Sequence, residues 1–107
     1  LEENAVSKSL LLLSSLLIVG AGPVAAQNAD PNLARNIAAS CANCHGTNGV
    51  SQGGMPSLAG QSKADLVRKM QDYKAGRATG TIMPQLAKGY TDAQIELSAG
   101  WFAAQKP

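Results

Sequence analysis

Two cysteines three positions apart, with a histidine directly behind the second, stand in Ser40-Cys41-Ala42-Asn43-Cys44-His45-Gly46. No other stretch of the 107-residue chain combines reactive residue types at so telling a spacing. C-x-x-C-H is the arrangement by which a polypeptide attaches haem covalently. The two thiols can add to the two vinyl groups, while His45, on the same turn, reaches the iron from one side. A bare C-x-x-C has two other readings, a thioredoxin-like redox pair and half of a zinc site. The first wants a βαβ neighbourhood, and no strand signal is visible. The second needs about four ligands, whereas the chain holds two Cys and one His, all in this segment.

An iron bound only by His45 would leave a position open to small molecules, and a protein that only passes electrons gains from filling it. The three methionines are the candidates. Met55 lies on a loop close behind His45, and Met70 sits at core spacing on a helix, where Met is an ordinary gap-filler. Met83 stands in an irregular segment between Gly80 and Pro84, far enough along the chain to reach the opposite face of the ring. His45 and Met83 are therefore the expected iron ligands. Such a pair raises the reduction potential and suits one-electron relay. Pro56 restricts the chain where it stands, and its carbonyl has no competing helix bond, so it is a candidate acceptor for the Nδ1–H of His45.

The elements that must position these residues read as helices. Asp30-Pro31 is expected to open the first, with Asp as N-cap and Pro at the first helical position, and Leu33 and Ile37 fall on one face, flanked by Ala34 and Ala38. This helix delivers Cys41. A glycine-rich loop follows from Gly46 to Gly54. Ser62, with Asp65 three residues on, caps a second helix whose buried stripe is Leu66, Met70 and Tyr73, with Val67 beside it. Gly76 ends it. Spacing predicts ion pairs Asp65–Lys69 and Arg68–Asp72, so the cluster of Lys63, Arg68, Lys69, Lys74 and Arg77 reads as a solvated face before it reads as a docking patch. Thr91 or Asp92 caps a last helix with Ile95, Ala99 and Phe102 on one side and Trp101 next to them. Its Ser98, Ala99 and Gly100 would permit close packing against the Leu33–Ile37 helix.

The first 26 residues look like a leader. Lys8 precedes the apolar run Ser9–Val19, then Gly20-Ala21-Gly22-Pro23 and the small residues Val24-Ala25-Ala26. That is the form of a secretory signal, with the cut expected after Ala26. An uncleaved anchor needs about 20 predominantly apolar residues, and this run is broken by two serines and by Gly-Pro. The acids of Leu1-Glu2-Glu3-Asn4-Ala5 fit a leader poorly, which suggests a start at Val6. Residues 27–107 then form one domain with no stable membrane span. Export agrees with haem attachment, because the thiols must meet the attachment machinery before other partners, which in a bacterium means the periplasm. Four aromatics, Tyr73, Tyr90, Trp101 and Phe102, leave the interior short of large rings, and a haem would supply bulk. The net charge of +2 does not call for nucleic acid.

Cys41-Ala42-Asn43-Cys44-His45, Pro56-Ser57-Leu58-Ala59-Gly60-Gln61 and Met83, in that order, make the chain from about residue 30 to 105 resemble a class I cytochrome c of the c4 and c553 kind. The resemblance implies an all-α fold in which the first and last helices cross beside one covalent haem c, with Pro56 on the His side. The run from Thr81-Ile82-Met83-Pro84 to Ala87-Lys88-Gly89-Tyr90 is similar to the haem subunit of flavocytochrome c sulfide dehydrogenase. Ile82, beside Met83, is expected against the haem. That likeness implies an FAD-bearing flavoprotein partner that oxidises sulfide, with a downstream cytochrome or other acceptor. The familiar version carries two haem domains, and this chain has room for one. Ser98 also stands where the family has a larger apolar residue. The chain alone is not expected to be catalytic. A free soluble carrier is the alternative, and catalysis at an open haem, requiring Met83 displaced, ranks last.

Overall fold

The computed structural model describes residues 30–107. The expected leader and its cut after Ala26 lie outside the described residues. The described chain runs α1 (Leu33–His45), a short 3-10 turn (Thr47–Gly49), α2 (Lys63–Lys74), α3 (Met83–Ala87) and α4 (Asp92–Ala103). No strand occurs among the described residues, so the fold is all-α.

Helix α1 begins two residues later than Asp30-Pro31 suggests. Asp30 accepts the Asn32 amide on Oδ1 at 2.8 Å, closing an Asx turn that leads into Leu33. The buried line of α1 also differs from expectation. Leu33 is 41% exposed and Ala38 only 1%, because the inward stripe is Ala34, Ala38, Cys41 and His45, spaced four, three and four apart. Leu33 and Ile37 lie one position round from it, Ile37 half-buried like Ala34 and Leu33 exposed. The helix thus turns its cysteine and histidine toward the interior on the same line as its smallest residues.

Helix α2 follows its sequence signals closely. The Ser62 hydroxyl accepts the Asp65 amide at 3.3 Å, and Leu66 is buried with Val67, Met70 and Tyr73 half-buried. At its end Gly76 takes φ 76°, with Gly76 N donating to Tyr73 O at 3.1 Å and Arg77 N to Asp72 O at 2.8 Å. These two bonds form a Schellman motif. Helix α4 opens with a reciprocal cap. The Thr91 hydroxyl accepts from Gln94 N at 3.1 Å, and Gln94 Oε1 accepts from Thr91 N at 2.9 Å.

Helix α4 packs on α1, and α2 packs on both α3 and α4. Ala38, Leu66, Ala99 and Phe102 form the core where α1, α2 and α4 meet, with Cys41, Leu58, Val67 and Trp101 against it. Ile95 is fully buried, and Trp101 meets Phe102 edge-on at 5.1 Å between ring centres. Of the three small residues expected to admit α1, only Ala99 lies in this core. Gly100 faces the Lys63 stem, and the Ser98 hydroxyl donates to Ile95 O.

The charged side chains are engaged locally, though not all as spacing suggests. Asp65 pairs with Arg68 at 3.3 Å instead of Lys69, because Lys69 leans back toward the helix start and donates to Gln61 Oε1 at 2.9 Å. Arg68 also reaches Asp72, Arg77 binds Asp72 at 2.9 Å and Lys63 binds Glu96 at 3.1 Å. Each such exposed pair contributes about 0–1 kcal/mol. Lys74 does more, donating to Tyr90 O at 2.8 Å and to Asp92 Oδ1 at 2.9 Å. The Tyr90 hydroxyl lies 2.7 Å from Ser40 Oγ, so the turn entering α4 is tied to both α2 and α1.

Gly49 is where the chain after α1 comes closest to α4. It has φ 78°, and an added Cβ would lie 2.7 Å from Phe102 Cδ1 and 2.9 Å from Ala59 N. Gly49→Ala should therefore lower unfolding free energy by about 2–4 kcal/mol, left-handed strain and overpacking together. Gly76→Ala, where φ is also positive but the space is open, should lower it by only about 1–2 kcal/mol. Denaturant titration of the two variants measures the difference.

Hydrogen bonds from Gln71 and Lys74, with the Lys74 charge, hold the Asp92 carboxyl below its ordinary range. A depressed folded-state value gives stability that is fully present above the unfolded value, about 3.9, and is lost as pH falls through the folded one. Asp92→Asn should accordingly flatten the acid limb of the stability profile below about pH 5, as read by thermal unfolding across pH.

Candidate haem centre

The last turn of α1 carries three of the expected site residues together. Cys41 and Cys44 are free thiols one turn apart, the first half-buried against the core and the second exposed. Burial pushes the Cys41 thiol up, against smaller lowering contributions from the Ser40 side chain and a backbone hydrogen bond. His45 is 8% exposed. Its Nδ1 lies 2.6 Å from the Pro56 carbonyl oxygen. A carbonyl can only accept, so Nδ1 carries a hydrogen, and in the neutral ring it is Nε2 that keeps the lone pair. No hydrogen bond among the described residues engages Nε2, and no buried side-chain nitrogen or oxygen there lacks a partner.

The segment that brings Pro56 to His45 is folded around Gly49. The Gly49 carbonyl accepts from Leu58 N at 2.8 Å and from Ala59 N at 3.1 Å, and Gly60 N donates to Phe102 O at 3.0 Å. Ser57 is held as well, its hydroxyl by Ser51 N at 2.9 Å and its carbonyl by Gln61 Nε2. The loop is thus anchored on both sides of the proline and to α4.

Met83 is not in an irregular segment. It is the first residue of the five-residue α3, half-buried, with Pro84 second. Proline belongs in a first turn, where its absent N–H has no partner to lose, so the same residue that looked like a loop boundary starts a helix. Ile82 precedes it at 61% exposure, with its carbonyl accepting from Gln85 and Leu86. Met55 is 45% exposed on the loop, and Met70 is half-buried on α2. The structure therefore joins Cys41, Cys44, His45 and Pro56 directly, while Ile82 and Met83 stand on a separate short helix packed against α2. No hydrogen bond among the described residues ties α3 to the C-x-x-C-H turn. The Ser40–Tyr90 clasp was not visible in sequence because its partners lie 50 positions apart, and the Ser51–Ser57–Gln61 support because it lies in a loop where spacing carries no helical or strand meaning.

The donors present fit a haem c. Two thiols share one turn, an imidazole has its free lone pair on the nitrogen away from Pro56, and thioethers are available as softer donors. A zinc site is disfavoured by the same inventory, since no group of three His, Cys, Asp or Glu among the described residues is placed to hold a metal. No helix among the described residues is long and apolar enough to cross a membrane.

An all-α domain with C-x-x-C-H closing its first helix and the histidine ring fixed by a proline carbonyl defines a cytochrome of the c type. The chain belongs to the cytochrome c family, whose model, described as Cytochrome c, matches residues 33–99. It is 38% identical over 96 residues to the cytochrome subunit of sulfide dehydrogenase from Chlorobaculum tepidum, covering 87% of each chain. It is 36% identical over 97 residues to cytochrome c4 of Pseudomonas aeruginosa, covering 90% of this chain and 48% of that one. A thiosulfate dehydrogenase electron acceptor from Thiomonas intermedia is 38% identical over 69 residues, covering 61% of this chain and 32% of the relative. The chain spans about half the length of the cytochrome c4 relatives it matches. Its function is haem-based electron transfer.

Proposed function

We propose that this chain relays single electrons through one covalent haem c as the cytochrome subunit of a flavin-dependent sulfide dehydrogenase. Cys41 and Cys44 would hold the porphyrin, His45 and Met83 the iron, and Pro56 and Ile82 would lie against the ring. When bound, the haem supplies an iron that cycles between ferrous and ferric one electron at a time. The observation that carries the assignment is the 2.6 Å contact between His45 Nδ1 and the Pro56 carbonyl, which fixes the tautomer a metal-bound imidazole requires. Pro56 also orients the ring and raises its basicity. The Met83 thioether is a soft donor that favours the reduced state and so a higher potential. With His45 and Met83 both committed to the iron, water and small molecules would be kept from it.

The similarity over 87% of both chains to a cytochrome subunit of sulfide dehydrogenase supports the subunit reading. Sulfide would be oxidised at the FAD of a partner flavoprotein, and this chain would carry the electrons onward to a second cytochrome or other acceptor. An exported, periplasmic chain cut after Ala26 suits both that role and haem attachment. The similarity to cytochrome c4 favours a second reading, a free-standing periplasmic carrier.

Met83→Ala should abolish the weak long-wavelength sulfur-to-iron band of the ferric protein and let carbon monoxide bind rapidly to the ferrous form. Survival of the band in that variant, with its loss in Met55→Ala or Met70→Ala, reassigns the ligand. Purification from the native source should yield a complex with a flavoprotein that is reduced by sulfide. A monomer reduced equally by many donors supports the carrier instead.

A further inference from the structure

Ser57 follows Pro56 directly, and the carbonyl that binds His45 belongs to the planar peptide these two residues share. The direction of that carbonyl is therefore governed by whatever holds Ser57. One backbone amide and a relay of two side chains do so. Ser51 N donates to the Ser57 hydroxyl at 2.9 Å, Gln61 Nε2 donates to the Ser57 carbonyl, and Gln61 Oε1 accepts from Lys69 Nζ at 2.9 Å. No other donor among the described residues reaches the Ser57 carbonyl. Gln61 itself is half-buried, and its backbone amide donates to Leu58 O at 3.2 Å, so the side chain reaches back from a fixed base. The Gln61 amide donates to Ser57 from its nitrogen and accepts from Lys69 on its oxygen at once.

We infer that Gln61 is a positioning residue for His45: its amide holds Ser57 so that the Pro56 carbonyl stays aimed at Nδ1, setting how strongly the imidazole donates to a bound iron. This rests on His45 being an iron ligand. Gln61 touches neither the ring nor the iron site. Its bond is to the next peptide, Ser57–Leu58, whose Leu58 N also donates to Gly49 O, and its effect reaches the Pro56 carbonyl through the Ser57 backbone. If the Pro56–Ser57 peptide turns, the bond to Nδ1–H lengthens, the ring loses imidazolate character, and a weaker donor favours the ferrous state. The reduction potential then rises.

The test uses the haem-loaded protein and two variants. Gln61→Ala removes both bonds. Gln61→Glu keeps an acceptor for Lys69 but, being acceptor-only when ionised, cannot donate to Ser57, and it carries the test if the alanine variant folds poorly. Solvent exchange of the His45 Nδ1 proton, followed by NMR in the ferrous state, and the reduction potential are measured together. Both variants should keep the absorption bands of covalent haem c, exchange that proton roughly fivefold faster, as for loss of one net hydrogen bond, and show a raised potential. Unchanged exchange and potential, even with a lower melting temperature, would make Gln61 a merely structural residue and overturn the inference. Absence of attached haem, or of a slowly exchanging Nδ1 proton in the parent, would instead remove His45 as a ligand, a failure of the underlying reading that the spectra distinguish.

Discussion

The hydrogen bond from His45 Nδ1 to the Pro56 carbonyl is the contact on which the rest of the molecule depends. It joins the end of a helix to a loop that has no regular backbone pairing of its own, and it does so at the residue with the strongest claim to bind metal. An imidazole that rotated freely would present either nitrogen. One whose Nδ1 is committed to a carbonyl presents only Nε2. Much of what lies between residues 46 and 62 serves to bring that carbonyl into place. Gly49 supplies the left-handed turn and the room beside Phe102, its own carbonyl gathers Leu58 and Ala59, and Gly60 reaches the end of α4. The loop is short of secondary structure but well supplied with partners.

The core is small and is made largely of small residues. Ala38 and Ala99 let α1 and α4 come together, and Leu66 and Phe102 fill the remaining space from α2 and α4. A domain of this size buries a limited fraction of its surface, so polar contacts at the periphery carry more weight than in a larger protein. Lys74 is the clearest case. One ammonium satisfies the Tyr90 carbonyl and the Asp92 carboxylate, joining the end of α2 to the start of α4, while the Tyr90 hydroxyl binds Ser40 on α1.

Local signals in the sequence were legible wherever one residue decides the outcome. Ser62 and Thr91 are caps, Gly76 ends α2, and Ile95, Ala99 and Phe102 form the buried side of α4, all as their types and spacing require. The proline carbonyl beside His45 could also be anticipated, since a loop carbonyl has no competing helix bond. Errors arose where two readings differ by one position or by one turn. Leu33 and Ile37 outweigh the flanking Ala34 and Ala38 in hydrophobicity, yet Ala38 is the buried one, Ile37 only half-buried and Leu33 exposed, because close helix contact selects for small side chains over greasy ones. Pro84 reads equally as the end of a loop or the first turn of a helix, and the structure has the latter. The Ser40–Tyr90 and Lys74–Asp92 contacts were invisible, since their partners lie 50 and 18 positions apart and no local period links them.

Cys41 belongs to two systems at once. Its sulfur is one of the pair that marks the attachment motif, and its side chain also packs on the cluster where α1 meets α4. In the finished fold it is half-buried and that burial pushes its thiol up, whereas Cys44 stands in the open. The two thiols of the motif therefore differ in access, Cys44 open to solvent and Cys41 partly covered by the core it packs on.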